Sequence, residues 1–507
     1  MSSRKIAVVT LGAVLLTGRS FAGGTFEVYT VDDLTNALSH VQGNSDTTIK
    51  IHPGTYYVGD LGMISGSHLA CMYSGSTGVG KRRIYGLGAD PSETVIVGKG
   101  MYSNSGKRVF TGDGYTMVSN VTITGGCCNS GAGGLLTAGL GIWNCIISNN
   151  FAKGAGGGTD GLSAYNCIYA FNCAQGGHGG GGRFSGYKTD NCTFATNRCL
   201  GTGTAAQGGG VSLGTHTRGK FYGNTAICGG GAHVATVIGC DFVGNRAWTT
   251  SGGAAIGSTY GSCTATNCYF RGNITTNAYT GWSGDVANAT TFDDCKFYDH
   301  IGGSTMFANC TLRRCEIRTL KENGTHVDMF YKCSLSNTLL ADVELTLASG
   351  SVATLANESK FYNCTVVGYT NLSTNVRYVM QPGCLAVNTI FSRTKPVGFG
   401  TDYNLVMTNC LWTEQKSLGD LPKAVGGGLV APSALKFTDV AKGDYTLQRG
   451  SKARNAGFQD AVYPKSGAVD LNLDPRVYEG DGPEKAIIDV GCYECQIPAP
   501  GLMMLVR

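Results

Sequence analysis

One short phrase recurs along this chain. Asn191-Cys192-Thr193-Phe194-Ala195-Thr196-Asn197 returns as Gly239-Cys240-Asp241-Phe242-Val243-Gly244-Asn245 and as Asn267-Cys268-Tyr269-Phe270-Arg271-Gly272-Asn273. Gly208-Gly209-Gly210, Gly229-Gly230-Gly231 and Gly252-Gly253 fall between the copies. Cysteines 145, 167, 192, 240, 268 and 295 are spaced by 22, 25, 48, 28 and 27 residues, and Lys220-Phe221-Tyr222-Gly223-Asn224 bridges the double step with Lys220 in the cysteine's place. Self-similarity at such a period means stacked repeats, because one unit cannot bury its apolar face alone.

The pattern inside a unit selects the kind of stack. Cys192 and Phe194 sit two apart, as do Cys240 and Phe242, which places each pair on one face of an extended strand. A second short alternation follows the glycines at Val211/Leu213, Ala232/Val234 and Ala254/Ile256. No segment here carries the 3.6-residue apolar rhythm over the length a helix needs. Each unit therefore reads as two or three short strands joined by Gly and Asn corners, the residues that best tolerate positive φ. Coils of this size stacked on one axis make an all-β, single-stranded parallel β-helix, each strand pairing with its equivalents at about 4.8 Å. Like then falls on like: a Cys column, a Phe column, and an Asn column whose amides hydrogen-bond along the axis.

A solenoid grows in one direction, so 507 residues fit one unit. Residues 1–22 read as an export signal, with Arg4-Lys5, an apolar run from Ile6 to Leu16 and Ser20-Phe21-Ala22 as the cleavage site. That run is too short to span a bilayer, so no integral membrane span is expected in the mature chain. Loss of Arg4, Lys5 and Arg19 would take the formal charge from +5 to +2, which gives no electrostatic reason to expect a nucleic-acid partner. Lys81-Arg82-Arg83 is the densest basic spot and reads as a solvated corner. Twenty-one cysteines in an exported chain would ordinarily mean disulfides. Thiols stacked one coil apart with parallel Cβ vectors miss disulfide geometry. Cys145, Cys167, Cys192, Cys240, Cys268, Cys295, Cys310, Cys333, Cys364 and Cys410 therefore read as one reduced interior column. Cys127/Cys128, Cys173/Cys199 and Cys492/Cys495 lie off it and are open to bridging.

Within residues 23–120, the stretch from Thr30 to Leu38 has a Thr N-cap, early acids at Asp32 and Asp33, and apolar residues at 31, 34, 37 and 38, a short amphipathic helix suited to cap the first coil. Thr48-Ile49-Lys50-Ile51-His52-Pro53-Gly54-Thr55-Tyr56 then alternates and breaks at Pro-Gly. This opening resembles that of right-handed parallel β-helix proteins of the pectate-lyase-like superfamily, which implies a right-handed helix. Residues 121–300 are the Gly-rich repeats. Residues 301–420 keep the strand motif with plainer corners: 9 glycines, against 35 in residues 123–257. Residues 421–496 form a closing region and 497–507 a short tail.

The closing region carries Gly450-Ser451-Lys452-Ala453-Arg454-Asn455-Ala456-Gly457, Asp470-Leu471-Asn472-Leu473-Asp474-Pro475-Arg476-Val477 and Ile488-Asp489-Val490-Gly491-Cys492-Tyr493-Glu494. These motifs resemble the end of exported bacterial choice-of-anchor Q domain proteins, with Cys492 replacing the small residue usual before Tyr-Glu. The repeats at Phe194, Phe221, Phe242 and Phe270, alternating with Gly230-Gly231-Ala232 and Gly252-Gly253-Ala254-Ala255-Ile256, are similar to the FxxN and GGAI repeats of polymorphic outer-membrane proteins, which implies an adhesin. No β-barrel translocator is expected within these 507 residues.

Many β-helices instead cleave acidic polysaccharides, hydrolases with Asp carboxylates that protonate the leaving oxygen and activate water. Gly158-Thr159-Asp160-Gly161 and Gly177-His178-Gly179 resemble fragments of polygalacturonase motifs, which makes Asp160 and His178 the candidate catalytic residues. The intervening Asp-Asp is missing, and Asp293-Asp294 lies far downstream. A lyase would need a calcium-bound carboxylate cluster; Asp241, Asp285 and Asp299 are scattered acids that would have to meet across coils. Cys492-Tyr493-Glu494-Cys495 has redox or zinc spacing without a second pair, so no metal or other cofactor is assigned. His233, opposite Ala232 and Val234 on its strand, should face solvent. Trp143, Trp248, Trp282, Tyr260, Tyr279 and Trp412 either stack sugars or pack the core and corners. The sequence thus points to an exported, noncatalytic surface protein that binds glycan or another cell, with a polysaccharide lyase or hydrolase as the alternative.

Overall fold

A computed structural model describes residues 24–39, 46–59, 81–102, 107–112, 115–137, 141–201, 207–248, 252–257, 261–275, 286–302, 305–324, 327–347, 353–368, 370–371, 379–381, 383–394, 406–413, 424–458, 469–476 and 487–495. The expected export signal, the short tail, Cys71, Asp285, Trp282, Tyr260 and Tyr279 lie outside them.

Within one coil the chain runs through Gly182–Arg183, Lys188–Asp190, Thr193–Ala195 and Arg198–Cys199 before the next coil repeats the path. A coil thus has four strands, not two or three, because an extra corner divides the alternating stretch. That corner is left-handed: Asn144, Asn166, Asn191 and Asn267 sit at φ 49° to 53°. The two central strands of each coil join a 31-stranded sheet, and the flanking pairs build two 11-stranded sheets. Coil-to-coil pairing is parallel, as in Thr193 to Lys220 to Asp241 to Tyr269. The expected all-β parallel β-helix is what forms.

Each column has its own chemistry. Tyr169, Phe194, Phe221, Phe242, Phe270 and Phe297 stack ring on ring at 4.4–5.0 Å, all fully buried. Each such burial is worth about 1.5–3 kcal/mol and each stack about 0.5–1.5 more. Beside the rings runs a second ladder, Asn150, Asn172, Asn197, Asn224, Asn245 and Asn273. Each Nδ2 donates to the next Oδ1 at 2.9–3.0 Å. The same amide also donates to a backbone carbonyl one coil back, as Asn224 does to Phe194 at 2.8 Å. Its Oδ1 accepts a backbone N–H as well, so no valence of the buried amide is wasted.

The thiols form two columns rather than one. Register puts Cys145, Cys167, Cys192, Cys240, Cys268, Cys295, Cys315, Cys364 and Cys410 at one corner, and Cys263, Cys310, Cys333 and Cys384 at the other. Cys310 and Cys333 leave the first column because Asn-Cys serves either corner equally well. Gly219, not Lys220, fills the gap, since Lys220 pairs with Thr193. A thiol suits the position because sulfur accepts the N–H of its neighbour, 3.4 Å from Cys145 N to Cys167 Sγ and from Cys240 N to Cys268 Sγ. Thr338 and Ser359 supply the same acceptor with oxygen. All twenty described cysteines are free and buried, the off-column pairs included. Burial pushes Cys364 and Cys410 up to about 12, which leaves their thiols unreactive.

At the amino end the helix Val31–Ser39 buries Leu34, Ala37 and Leu38 against the first coil. Thr30 Oγ1 accepts the Asp33 N–H, while Asp33 accepts those of Tyr29 and Thr30, a reciprocal cap. In the basic triplet Arg82 alternates inward and is buried, so only Lys81 and Arg83 are solvated. At the other end the long sheet finishes with Ala424–Leu429, three residues inside the closing region.

Asn224→Ala would orphan the Asn197 amide and the Phe194 carbonyl, so a loss of about 3–6 kcal/mol is expected in urea unfolding. Asn191→Gly, which removes a solvent-facing amide bond to Asn166 but keeps the left-handed corner, should cost under about 1 kcal/mol. Alkylation of the unfolded, unreduced chain should label every described cysteine; a recovered disulfide peptide containing any cysteine of the two columns contradicts the two-column reading.

Candidate functional site

Strand alternation sends every second residue of the long sheet outward. In the middle coils these outward residues are polar or aromatic with the exception of Val243: Lys220 and Tyr222, Asp241, Tyr269 and Arg271, Lys296 and Tyr298, Glu316 and Arg318. From Leu339 they turn apolar, and Leu339, Ala341, Val367, Ile390 and Leu411 are buried. The closing region covers them with Leu435, Tyr445, Leu447, Val490, Cys492 and Tyr493. Hydrogen bonds fix it there, Asn337 Nδ2 to the Val469 carbonyl at 2.8 Å and the Cys492 N–H to Thr365 Oγ1 at 3.1 Å.

A cleft of about 430 Å³ opens where cover gives way to bare sheet. Asp294, Lys296, Arg314 and Glu316 line it from the coils, and Leu471, Asn472, Leu473 and Tyr493 from the closing region. Leu473 is 62% exposed and held at φ 68°, a strained setting for a leucine. Arg314 grips Asp294 through both carboxylate oxygens at 2.6 and 2.9 Å. Arg318 takes Glu316, and Lys296 reaches it at 3.7 Å. One row over, Arg313 pairs with Asp293 and Arg218 with Asp190. These exposed pairs add little stability, about 0.2–1 kcal/mol each, but they set a surface of alternating donors and acceptors. Tyr298, lodged beside Glu316, is pushed up to about 12, first by burial and then by that carboxylate. Tyr269 lies 5.6 Å from its ring.

The far end of the bare face carries Trp143 stacked on Tyr165 at 5.2 Å. Trp143 is therefore an outer-face aromatic, whereas Trp412 is buried in the core and Trp248 is 37% exposed. From Trp143 to Arg313 the register steps through seven coils, roughly 34 Å at about 4.8 Å each.

Asp160 and His178 fall in one patch away from that face. Asp160, Arg183, Ser212 and His233 form a column, and Arg183 clamps Asp160 with two bonds of 2.8 Å. A carboxylate so held accepts hydrogen bonds but is poorly placed to move a proton. His178 stacks on His233 with ring centroids 5.4 Å apart, and burial, then Arg183, lowers its affinity for a proton. His233 does not face solvent: its strand is only Ala232–His233, Val234 turns at φ 46°, and the imidazole is enclosed beside Ser212 Oγ at 3.2 Å. Burial brings its pKa down to about 3. Asp241 and Asp299 stand two coils apart, Asp299 held by Arg271 at 2.9 Å. No group of three or more His, Cys, Asp or Glu side chains that could hold a metal ion occurs among the described residues.

The closing motifs converge on one buried knot behind the cleft. Arg476 is fully buried and donates to the carbonyls of Gly491 and Asp489 at 2.9 Å. Asp489 accepts from the Asn455 and Cys495 amides, Asp470 from Asn472, Asp474 and Glu494. Burial and the nearby Asp489 raise Glu494 to about 9 despite Arg476, so it holds its proton at neutral pH. Burial raises Asp470 and Asp489 as well.

No family model and no curated protein matches the sequence, so the resemblances to choice-of-anchor Q domains and polymorphic outer-membrane repeats gain no support there. Among solved structures, pectate lyase Pel9A matches with 12% identity over 90% of both chains at a TM-score of 0.24. A mannuronic acid specific polysaccharide family 6 lyase from human gut microbiota matches with 11% identity over 81% of this chain and 87% of its own, at 0.29. Bacteriophage CBA120 tailspike protein 3 matches with 9% identity over 79% and 56%, at 0.33. The chain spans 58% of the length of Geobacillus virus E2 ORF18, another match. At these scores the neighbours decide nothing about substrate or mechanism.

Because Glu494 is protonated when folded and ionised when unfolded at neutral pH, its contribution is full below about 4.5 and fades as pH rises through about 9. Protection factors of the amides in 487–495, each referred to the intrinsic exchange rate at that pH, should therefore fall from pH 5 to 9, and Glu494→Gln should flatten part of that slope. Asp470 and Asp489 keep the remainder.

Proposed function

We propose that this chain is an exported β-helix that binds an extended glycan without cleaving it. The polysaccharide would run along the bare outer face of the long sheet and end in the cleft beneath the closing region. The observation that carries this reading is the strip itself. Aromatic pairs at Trp143/Tyr165 and Tyr269/Tyr298 and a ladder of ionic groups share one face, which is open until the closing region covers it. Flat rings suit sugar faces, and guanidinium–carboxylate pairs with exposed edges offer hydroxyl groups both donors and acceptors.

Binding is favoured over catalysis by the state of the acids. Hydrolysis needs a carboxyl free to protonate the leaving group and a partner to activate water. In the cleft, Asp294 is taken by Arg314 and Glu316 by Arg318 and Lys296. Elimination needs a base near neutrality, and Tyr298 is displaced to about 12, the wrong way. Export and a cell-surface, adhesin-like setting follow from the sequence of 1–22 and the closing motifs as part of this proposal.

Affinity electrophoresis in gels containing polygalacturonate, alginate or a glycosaminoglycan is the direct test. Retardation by at least one polymer is expected, weakened several-fold in Lys296→Gln and in Leu473→Asn, which removes the apolar wall while easing the backbone. Prolonged incubation should release no new reducing or unsaturated ends. Chain cleavage would overturn the noncatalytic part, and free migration in every gel would overturn the reading altogether.

A further inference from the structure

The corner that follows the aromatic column is left-handed throughout the helix. From Gly125 to Arg393 the described coils place glycine or a polar residue there, with one exception. Phe171 sits at φ 57° with 57% of its surface exposed. A bulky residue in that conformation costs about 1–2 kcal/mol. Among the described residues no ring–ring contact to Phe171 offsets it, and Asn149 and Thr196 fill the same corner in the coils on either side.

A pocket of about 150 Å³ opens beside Phe171, walled also by Met101, Tyr102, Thr196 and Arg198 with Cys173 behind. Tyr102 is 70% exposed, so two large aromatic faces flank the opening. Arg198 sets the charge. Arg183, Arg218, Arg271, Arg313, Arg314 and Arg318 each hold a carboxylate, whereas Arg198 has no ion pair among the described residues. A volume this small is about half the lower limit for a drug-sized ligand, which suits one ring rather than a chain.

We propose that this corner binds a single sugar ring bearing a carboxylate, its flat face on the exposed aromatics and its carboxylate on Arg198. The site is separate from the cleft. It lies in the coils of Phe171 and Thr196, four and three register steps, roughly 19 and 14 Å, from the coil of Asn267 where the cleft begins.

Met101 lines the pocket, so carbon-13 methyl-methionine NMR of the full chain can follow a titration with methyl galacturonide, methyl glucuronide or methyl mannuronide, and with neutral methyl galactoside. At least one uronide should shift the Met101 resonance saturably, and the galactoside should need at least tenfold higher concentration. Phe171→Gly should weaken uronide binding at least tenfold while melting no lower than the parent, because glycine relieves the strained φ; Phe171→Asn serves the same purpose. Arg198→Gln should abolish the preference for the acid. The proposal is overturned if no uronide moves Met101, if galactoside binds equally well, or if Phe171→Gly binds as tightly as the parent. Lys296→Gln should leave the Met101 titration unchanged while reducing polymer retention, which keeps failure at this corner distinct from failure at the cleft.

Discussion

Parallel in-register stacking is the constraint from which the rest of this molecule follows. Once each strand lies about 4.8 Å from its equivalent, a buried group that recurs in every coil must be satisfied by a copy of itself. Few side chains can do this. An aromatic ring can, face to face, and an asparagine amide can, because it carries donors and an acceptor at once. The ladder from Asn150 to Asn273 uses its buried valences without water, each amide bonded forward to the next amide and back to a carbonyl. Where the ladder ends the substitute is His300, whose Nδ1 meets the Asn273 carbonyl at 3.3 Å. The free thiols belong to the same logic, since a sulfur accepts the N–H of the coil behind and donates to the carbonyl two residues earlier, 3.3 Å from Cys145 to Trp143.

Stacking of this kind leaves two problems, open ends and an outer face, and the chain answers them differently. The first coil is covered by a capped helix of nine residues. The late coils are covered sideways, by a closing region that is itself too small to own a core. It borrows one from the sheet: Leu339, Val367 and Ile390 point outward and are buried only because Tyr445, Tyr493 and Val490 lie on them. Its polar residues cannot all reach water, and Asp470, Asp489 and Glu494 gather with Arg476 in the resulting interior. The sequence motifs Asp470 to Arg476 and Ile488 to Glu494 are, physically, the two halves of this knot.

The repeat makes the architecture readable from the sequence alone, because period, Gly and Asn corners and two-residue alternation all agree on one fold. The rings of Phe194 to Phe297 and the asparagine ladder were legible for that reason. What stayed hidden was register. Asn-Cys marks a corner without saying which, so Cys310 and Cys333 could be assigned to the wrong column, and Lys220 could pass for a substitute of cysteine when Gly219 holds that place. His233 was misread because alternation was extended through Val234, where the backbone turns instead. A signal for the cleft was present, in the change of outward residues from Lys296, Tyr298 and Glu316 to Leu339, Ala341 and Val367. It can be read only after the inward and outward positions of each strand are known.

That same change explains why the cleft, rather than the patch around Asp160 and His178, is the better candidate for function. Asp160 lies under the glycine-rich turns, and its charge is consumed by Arg183 within the column. Its surroundings resemble the knot at Arg476, a buried polar group stabilised by its neighbours. At the cleft the ionic groups are arranged the same way, yet Lys296 keeps 60% of its side-chain surface in solvent, and Leu473 is held in a conformation leucine disfavours. Stacking alone dictates none of those features. A surface that departs from what the repeat requires, in a molecule otherwise governed by it, is where selection for a ligand leaves its mark.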